Sequence, residues 1–251
     1  MKMLLITLLL IVTACGKDSS KKSSVQTQNP NTIFGASQIT VKVYYQEGAE
    51  PYTEDSNIAL LKYWTIYQKN IEALFNGRSP RPTLVIPTSL SQMTKIPSVN
   101  VTKWSIEDIL SLAKTVESSE SGLVFKIFFV KGEYAENSNV LGFHISNTYT
   151  MAVFKDIIAR SGSTEERIPQ YVEQATIIHE TGHALGLVNN GLPMKAAHQD
   201  SEHGAHCSEP TCVMYWQNEG TSGLRNFVKN LIINRSTVMF DSQCLNDAQN
   251  Y

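Results

Sequence analysis

Residues 179–190 read HETGHALGLVNN and carry the strongest chemical pattern in the sequence. His179 and His183 are four residues apart on a predicted helix, so both imidazoles share one face and can bind one cation. Glu180 lies on the adjoining edge of that face, where its carboxylate can act as a general base on a metal-bound water. The pattern therefore predicts a zinc site with hydrolytic chemistry.

Residue periodicity around this motif predicts an alternation of strands and helices. Runs rich in β-branched and aromatic residues predict strands at 38–45, 83–86, 123–130, 140–145 and 149–154. Apolar residues at helical spacing predict helices at 57–75, 105–116 and 169–185, then at about 224–232 and from about 236. Pro169 suits the first turn of the third helix, and Gly186 suits its end. This order predicts an α/β (α+β) fold: a mixed five-stranded sheet with two backing helices and an active-site helix, then a smaller irregular and helical C-terminal subdomain.

The N-terminal residues carry a targeting pattern. Lys2 precedes an apolar run at 4–12, too short to span a bilayer, and Ala14-Cys15 follows. A small residue before such a cysteine resembles the bacterial lipoprotein signal, in which the cysteine is lipidated; an ordinary secretory signal is the alternative. The polar residues after Cys15 are too poor in apolar side chains to fold. We expect a signal peptide at 1–14, a lipidated Cys15 with a flexible tether at 15–37, and one domain at 38–251, divided into 38–186 and 187–251.

Two segments carry a resemblance to a known family. HETGHALG at 179–186, with CVMY at 212–215, resembles the metzincin clan of zinc peptidases, in which a Met-turn, here Met214, packs beneath the metal. HCSEPTCVM at 206–214 is similar to the archaemetzincin branch, where the third zinc-binding histidine is followed at once by Cys-x4-Cys-x-Met. The resemblance implies a metzincin-like fold and zinc peptidase activity.

The third zinc ligand is the point at which this chain departs from the clan. The resemblance places a histidine at position 189, but this chain has Asn189, whose amide oxygen is a poor zinc ligand beside imidazole. We therefore interpret residues 189–205 as an insertion and assign the third ligand to His206. His198, His203 and Asn189 are the alternatives.

The remaining cysteines allow two interpretations. In archaemetzincins the Cys-x4-Cys pair joins a later Cys-x-x-Cys in a second, structural zinc site. Here Cys207 and Cys212 form the first pair, and Asp241 stands in the first position of the later pair, before Cys244. A zinc site with three cysteines and one aspartate is chemically acceptable. A Cys207–Cys212 disulfide, favoured by an oxidising exported location, is the alternative.

The substrate is only partly constrained by the sequence. The formal net charge is −2 without a long basic run, so we expect no nucleic-acid partner. Metzincins bind substrate as an extended strand, and residues 139–146 are the candidate edge for it here. We expect His144 to be an ordinary residue on a strand face. Tyr215 is expected to be a packed cleft residue, with a hydrogen bond to the oxyanion as its alternative role.

Together these features predict a zinc-dependent endopeptidase anchored by lipid in the bacterial cell envelope. We expect it to act as a monomer on proteins or peptides, with zinc on His179, His183 and His206 and with Glu180 as the general base. One alternative is a non-catalytic, zinc-stabilised surface lipoprotein that binds a partner and has no need of Glu180. The other is a zinc amidase that acts on cell-wall material.

Overall fold

The structure is a computed structural model in which residues 29–58, 60–116, 122–162 and 167–251 are described. The predicted signal peptide, Cys15 and the tether up to residue 28 lie outside the described residues. Across the described ranges, no helix combines the length and the apolar character that a membrane crossing requires.

The chain alternates short strands and helices. The strands are β1 (Gln38–Tyr45), β2 (Thr83–Val85), β3 (Thr94–Lys95), β4 (Lys103–Trp104), β5 (Leu123–Val130), β6 (Glu133–Tyr134), β7 (Gly142–His144) and β8 (Thr150–Phe154). The helices are α1 (Pro30–Phe34), α2 (Tyr63–Leu74), α3 (Ile106–Thr115), α4 (Lys155–Ala159), α5 (Ile168–Ala184), α6 (Thr221–Asn234) and α7 (Ser242–Gln249). Single 3-10 turns occupy Leu90–Gln92 and Trp216–Glu219.

The main sheet is mixed. Its strand order is β2-β1-β5-β8-β7, and the short β3 also pairs with β1. All of these pairs are parallel except the last, in which β7 runs antiparallel to β8 with Gly142 opposite Val153. β5 lies in the middle because its nearly continuous apolar run can be covered on both faces. The predicted α/β class and mixed sheet are confirmed, and β3 adds a short sixth strand to the five expected.

Helix α5 positions the functional residues because it is the core helix of the fold. It packs against α2, β7 and β8, and every residue from Ile168 to Gly182 is buried. A charged side chain buried in such a helix needs partners inside the protein. Glu173 accepts from the ammonium of Lys155 and from the backbone N–H of Tyr52 at 2.8 Å. The hydroxyl of Thr181 lies 3.0 Å from the hydroxyl of Tyr67 on α2.

Two helices begin later than predicted. α2 begins at Tyr63 rather than 57, because the preceding loop satisfies its own backbone groups: Ser56 N–H donates to the carbonyl of Leu61 at 2.7 Å. Leu60 in that loop has a left-handed φ of 52°, which a helix excludes. α7 begins at Ser242 rather than about 236, because the Asp241 carboxylate caps it by accepting from the N–H of Cys244 at 2.9 Å. The short α4 was not predicted.

The domain begins before residue 38, which corrects the predicted boundary for residues 29–37. Pro30 starts α1, and the Asn29 side chain caps it by accepting from the N–H of Asn31 at 2.9 Å. Ile33 is fully buried, and the ring of Phe34 lies 5.2 Å from the ring of Phe75. These apolar residues follow a polar run, so their burial could not be inferred from local composition.

We expect Ile33→Ala to lower the free energy of unfolding by about 2–5 kcal/mol, because it removes a fully buried side chain from the core. Urea denaturation followed by circular dichroism would measure this change. Thr32→Ala, at the exposed neighbouring position, is the matched control. Equal unfolding free energies for the two variants would indicate that residues 29–37 belong to the tether and do not pack in the domain.

Candidate metal centre

The end of α5 presents the motif residues to a cleft. The helix ends at Ala184, and Gly186 follows with φ of 84°, so the chain reverses where the sequence predicted it. A Cβ at Gly186 would lie 3.1 Å from the carbonyl oxygen of Asn190, too close for a larger residue to fit easily. The side chain of Asn190 in turn donates to the carbonyl of His183 at 3.2 Å, which holds the reversed chain against the helix.

Three imidazoles converge beside this turn. The ring centroids of His179 and His183 are 4.7 Å apart. The ring centroid of His206 lies 5.3 Å from that of His179 and 4.9 Å from that of His183. The Nε2 atoms of His179 and His183 are only 3.0 Å apart. The structure therefore places the His206 ring beside the two rings on α5.

Backbone carbonyls set the orientation of two of these rings. Nδ1 of His179 lies 2.8 Å from the carbonyl oxygen of Val213, and Nδ1 of His206 lies 2.6 Å from that of His203. A carbonyl only accepts, so each Nδ1 carries a ring proton, and Nε2 is the nitrogen that a neutral ring offers to a metal. This arrangement of ring nitrogens is the usual one for metal-binding histidines.

Burial keeps the two helix histidines neutral. It lowers the pKa of His179 to about 4, and it lowers the pKa of His183 well below its usual value. Neutral imidazole is the form that binds a metal, so both side chains are ready ligands at neutral pH.

Glu180 is buried in the cleft next to the histidines. Its Oε2 accepts from the backbone N–H of His144, at the end of β7, at 2.8 Å. Burial raises the pKa of this carboxyl well above its ordinary value, and the nearby charge of Glu219 raises it further. His144 was predicted to be an ordinary strand residue; its backbone instead fixes the position of Glu180, while its ring Nε2 lies 2.8 Å from the carbonyl of Thr148.

The side chains considered as alternative third ligands contact other residues. Both ring nitrogens of buried His198 have partners, Asp247 Oδ2 at 2.7 Å and Cys207 Sγ at 3.3 Å. The His203 ring stacks on Trp216 with centroids 3.9 Å apart, and its Nδ1 lies 2.8 Å from Asp200. The Asn189 amide donates to Gln199 Oε1 at 3.2 Å. None of these side chains is placed with His179 and His183 in the described structure.

Met214 lies directly beneath the motif helix. It is fully buried, and a Cβ added at Gly182 would lie 2.4 Å from its sulfur. Gly182, between the two motif histidines, thus allows the methionine to approach the helix backbone. The next residue, Tyr215, is half-buried, and its ring tilts against Trp216 at 6.0 Å, which is the packed position expected for it.

A second cluster lies behind the first. It contains Cys207, Cys212, Asp241 and Cys244, whose ligand atoms are all within 4.8 Å of one another. The three cysteines are free thiols, and the sulfurs of Cys212 and Cys244 are 3.6 Å apart, so the Cys207–Cys212 disulfide is not formed in this structure. Backbone N–H groups of Glu209 and Asp241 donate to Cys207 and Cys212 sulfurs, each at 3.4 Å.

Glu219 is the site residue that the sequence interpretation missed. It ends the 3-10 turn after the Met-turn, and its Oε1 lies 3.1 Å from Nε2 of His206. His179, His183, His206 and Glu219 together offer ligand atoms within 4.8 Å of one another. The sequence gives no signal for this residue, because the 3-10 turn has no periodic pattern and its approach to the histidines depends on the folded chain.

The cleft that contains these residues has a volume of about 800 Å³. Gly142, Phe143 and His144 of β7 line one wall, and Trp216 and Glu219 line the other. An isolated antiparallel bridge between Val140 and Gly220 joins the walls. The predicted substrate edge at 139–146 therefore borders the motif residues.

Comparisons with known proteins give two similar structures. No protein-family model matches the chain, and no curated protein matches it. The chain is similar to the crystal structure of the archaemetzincin from Methanopyrus kandleri, at 14% identity and a TM-score of 0.44, over 85% of this chain and 95% of that one. It is also similar to a zinc-dependent peptidase from Methanocorpusculum labreanum, at 10% identity and a TM-score of 0.39, over 83% and 99%. At these levels of similarity, the function has to be argued from the site itself.

Proposed function

We propose that this chain is a zinc-dependent peptidase that holds its metal with His179, His183 and His206. The observation that carries the proposal is the convergence of three imidazoles, two of which have their Nδ1 protons held by backbone carbonyls. Ring nitrogens gathered this closely, with the Nε2 atoms of His179 and His183 3.0 Å apart, form a donor set that one bound cation can share. Neutral imidazoles are preferred ligands of zinc, so this donor set fits that metal.

Glu180 is the proposed general base of the reaction. Zinc would supply a Lewis acid that polarises the scissile carbonyl and makes water more acidic. The N–H of His144 holds Glu180 Oε2, which leaves Oε1 to accept the proton and to return it to the departing amine nitrogen. The raised pKa of this buried carboxyl supports the second half of that exchange, because it lets the group keep a proton nearer to neutral pH.

The proposed substrate is a peptide in extended conformation along β7. Ile145 N–H and the Leu141 carbonyl bond to β8, so antiparallel alternation turns the backbone N–H and carbonyl of Gly142 away from β8. Gly142 also lines the cleft, and a Cβ there would lie 2.8 Å from a methyl carbon of Thr176 on α5. Main-chain bonds to this glycine would align a peptide with Glu180.

The main alternative to a catalytic zinc site is a purely structural one. Glu219 could be the fourth protein ligand of the zinc, and zinc sites with four protein ligands are structural. Two features favour catalysis. The Glu219 side chain is 59% exposed, so it can move out of the site into solvent. Glu180 has no structural role toward the metal, yet it is held by a dedicated backbone bond in the cleft.

We further propose that the second cluster holds a structural zinc. Three buried thiols and Asp241 offer converging ligand atoms, and N–H donors to two of the sulfurs would stabilise thiolates. A Cys207–Cys212 disulfide remains the competing interpretation for an exported protein.

The proposed location is the bacterial cell envelope, with a lipid anchor on Cys15. This proposal is supported only by the N-terminal sequence, in which an apolar run leads to Ala14-Cys15. The polar residues after Cys15 would then separate the lipid from Ile33 and Phe34, which are buried in the domain.

For the anchor, we expect wild-type cells grown with a radioactive fatty acid to yield labelled protein, and we expect Cys15→Ser to abolish the label. The serine keeps the size of the side chain but lacks the thiol that forms the thioether. Equal labelling of the two proteins, or an unlabelled wild type, would contradict the lipoprotein proposal.

For the metal ligands, we expect about two zinc ions per chain of full-length protein, one for each cluster. His206→Ala should lose one of them, because it removes a ligand of the first cluster, and Cys244→Ser should lose the other. His203→Ala and Asn189→Ala are matched controls that should retain both. Elemental analysis after dialysis measures the content, and full occupancy in His206→Ala would refute its role.

For the reaction, we expect Glu180→Gln to lower the rate of proteolysis by about 10²–10⁴-fold while zinc content is unchanged, because it removes the proton acceptor alone. Two activities would be measured in parallel: cleavage of an unfolded protein, and release of soluble fragments from purified cell-wall material. Glu202→Gln, an exposed residue with the same change of charge, is the control. Activity on wall material alone would favour the amidase, and no Glu180-dependent activity on either substrate would favour the binding protein.

A further inference from the structure

Glu219 reaches the candidate metal centre from the opposite wall of the cleft. Its backbone is fixed, because the next residue, Gly220, forms the bridge to Val140 and its N–H donates to the carbonyl of Gln217 at 3.2 Å. Its side chain is 59% exposed and yet places Oε1 3.1 Å from Nε2 of His206. Because the backbone is fixed and the side chain is largely solvated, the Glu219 carboxylate can leave the site with a small change in free energy.

The contact between Glu219 and His206 joins two atoms that can each bind a metal. Nδ1 of His206 faces the carbonyl of His203 at 2.6 Å and holds a ring proton there, so Nε2 is the nitrogen directed to Glu219. In the metal-free protein a charged ring can donate from Nε2 to the carboxylate oxygen, 3.1 Å away. A neutral ring offers the Nε2 lone pair instead, and a cation bound by Nε2 then lies within reach of the Glu219 oxygen.

The oxygen of Glu219 also lies with the other two histidines. Its distances to the ligand nitrogens of His179 and His183 are within 4.8 Å, the same limit that encloses the three imidazoles. Glu180 does not belong to this group, since its Oε2 is held by the N–H of His144. The two cleft carboxylates are therefore distinct: one is fixed beside the histidines, and the other extends toward their nitrogens.

We propose that Glu219 is a displaceable fourth ligand of the zinc held by His179, His183 and His206. This inference rests on the proposed zinc site and adds a regulation to it. In the resting protein the carboxylate occupies the position that a peptidase needs open. A substrate that enters along β7 passes the 3-10 turn that carries Glu219, and its carbonyl replaces the carboxylate, which moves into solvent. The protein would thus limit its own reactivity with a side chain of the domain itself.

The test uses full-length protein and two independent affinities. Zinc affinity is measured by competition with a chelator. The affinity of acetohydroxamate, a small metal ligand, is measured from the absorption spectrum of the Co²⁺-substituted protein. Glu219→Gln should weaken zinc binding by about tenfold or more, because a ligand is lost. The same variant should bind acetohydroxamate about tenfold more tightly, because no carboxylate has to be displaced.

Two further variants exclude simpler explanations. Glu219→Asp keeps the charge on a shorter arm, so it should also bind acetohydroxamate more tightly than wild type. Glu202→Gln removes an exposed charge from the neighbouring loop and should match wild type in both affinities. The proposal is supported if Glu219→Gln binds zinc more weakly and acetohydroxamate more tightly than wild type, and if Glu219→Asp also binds acetohydroxamate more tightly.

Three outcomes would overturn it. Weaker zinc binding without tighter acetohydroxamate binding would make Glu219 only a support for the His206 ring. Tighter acetohydroxamate binding in Glu219→Gln but not in Glu219→Asp would mean that charge repulsion alone is responsible. Unchanged affinities for zinc and acetohydroxamate would remove Glu219 from the site. If wild type itself binds no zinc on its histidines, the proposed function fails as well, which the zinc measurement reveals separately.

Discussion

The hydrogen bond between Nδ1 of His179 and the carbonyl of Val213, 2.8 Å long, is the contact on which the candidate site depends. It joins the core helix α5 to the segment before Met214, and it fixes which ring nitrogen faces the other histidines. Val213 is held in turn, since its N–H donates to the carbonyl of Met239 at 2.8 Å. The N–H of Met239 donates to buried Asn70 on α2 at 2.7 Å. A continuous path of buried bonds therefore runs from α2 through the C-terminal segment to the first histidine.

The loop at 189–205 places His206 beside α5 because the loop is attached to the C-terminal helix. Asp247 of α7 accepts from the backbone N–H of Lys195 at 2.6 Å and contacts the ring of His198 at 2.7 Å. His198, an alternative zinc ligand by sequence, thus anchors the loop and places its other ring nitrogen by Cys207. A long spacing between the second and third histidines is compatible with one site because the intervening loop has its own buried attachment.

Sequence predicted those parts of the structure that depend on local periodicity. α3, β5 and the motif helix α5 were placed correctly because their apolar residues recur at regular spacing. α1 and the start of α2 were not, because burial of Ile33 and the closed loop before Tyr63 depend on distant partners. The pairing of His179 with His183 followed from helical geometry, and the selection of His206 came from family resemblance. Neither helical geometry nor family resemblance predicted Glu219, because only the folded chain brings its 3-10 turn close to the histidines.

The most direct test of the account is a crystal structure of the full-length protein with data collected on both sides of the zinc absorption edge. The account predicts an anomalous peak bounded by Nε2 of His179, His183 and His206, with Glu180 beside it in the cleft. A histidine cluster without a peak in crystals soaked with zinc, or a peak that excludes His206, would contradict the central claim that these three side chains form a metal site.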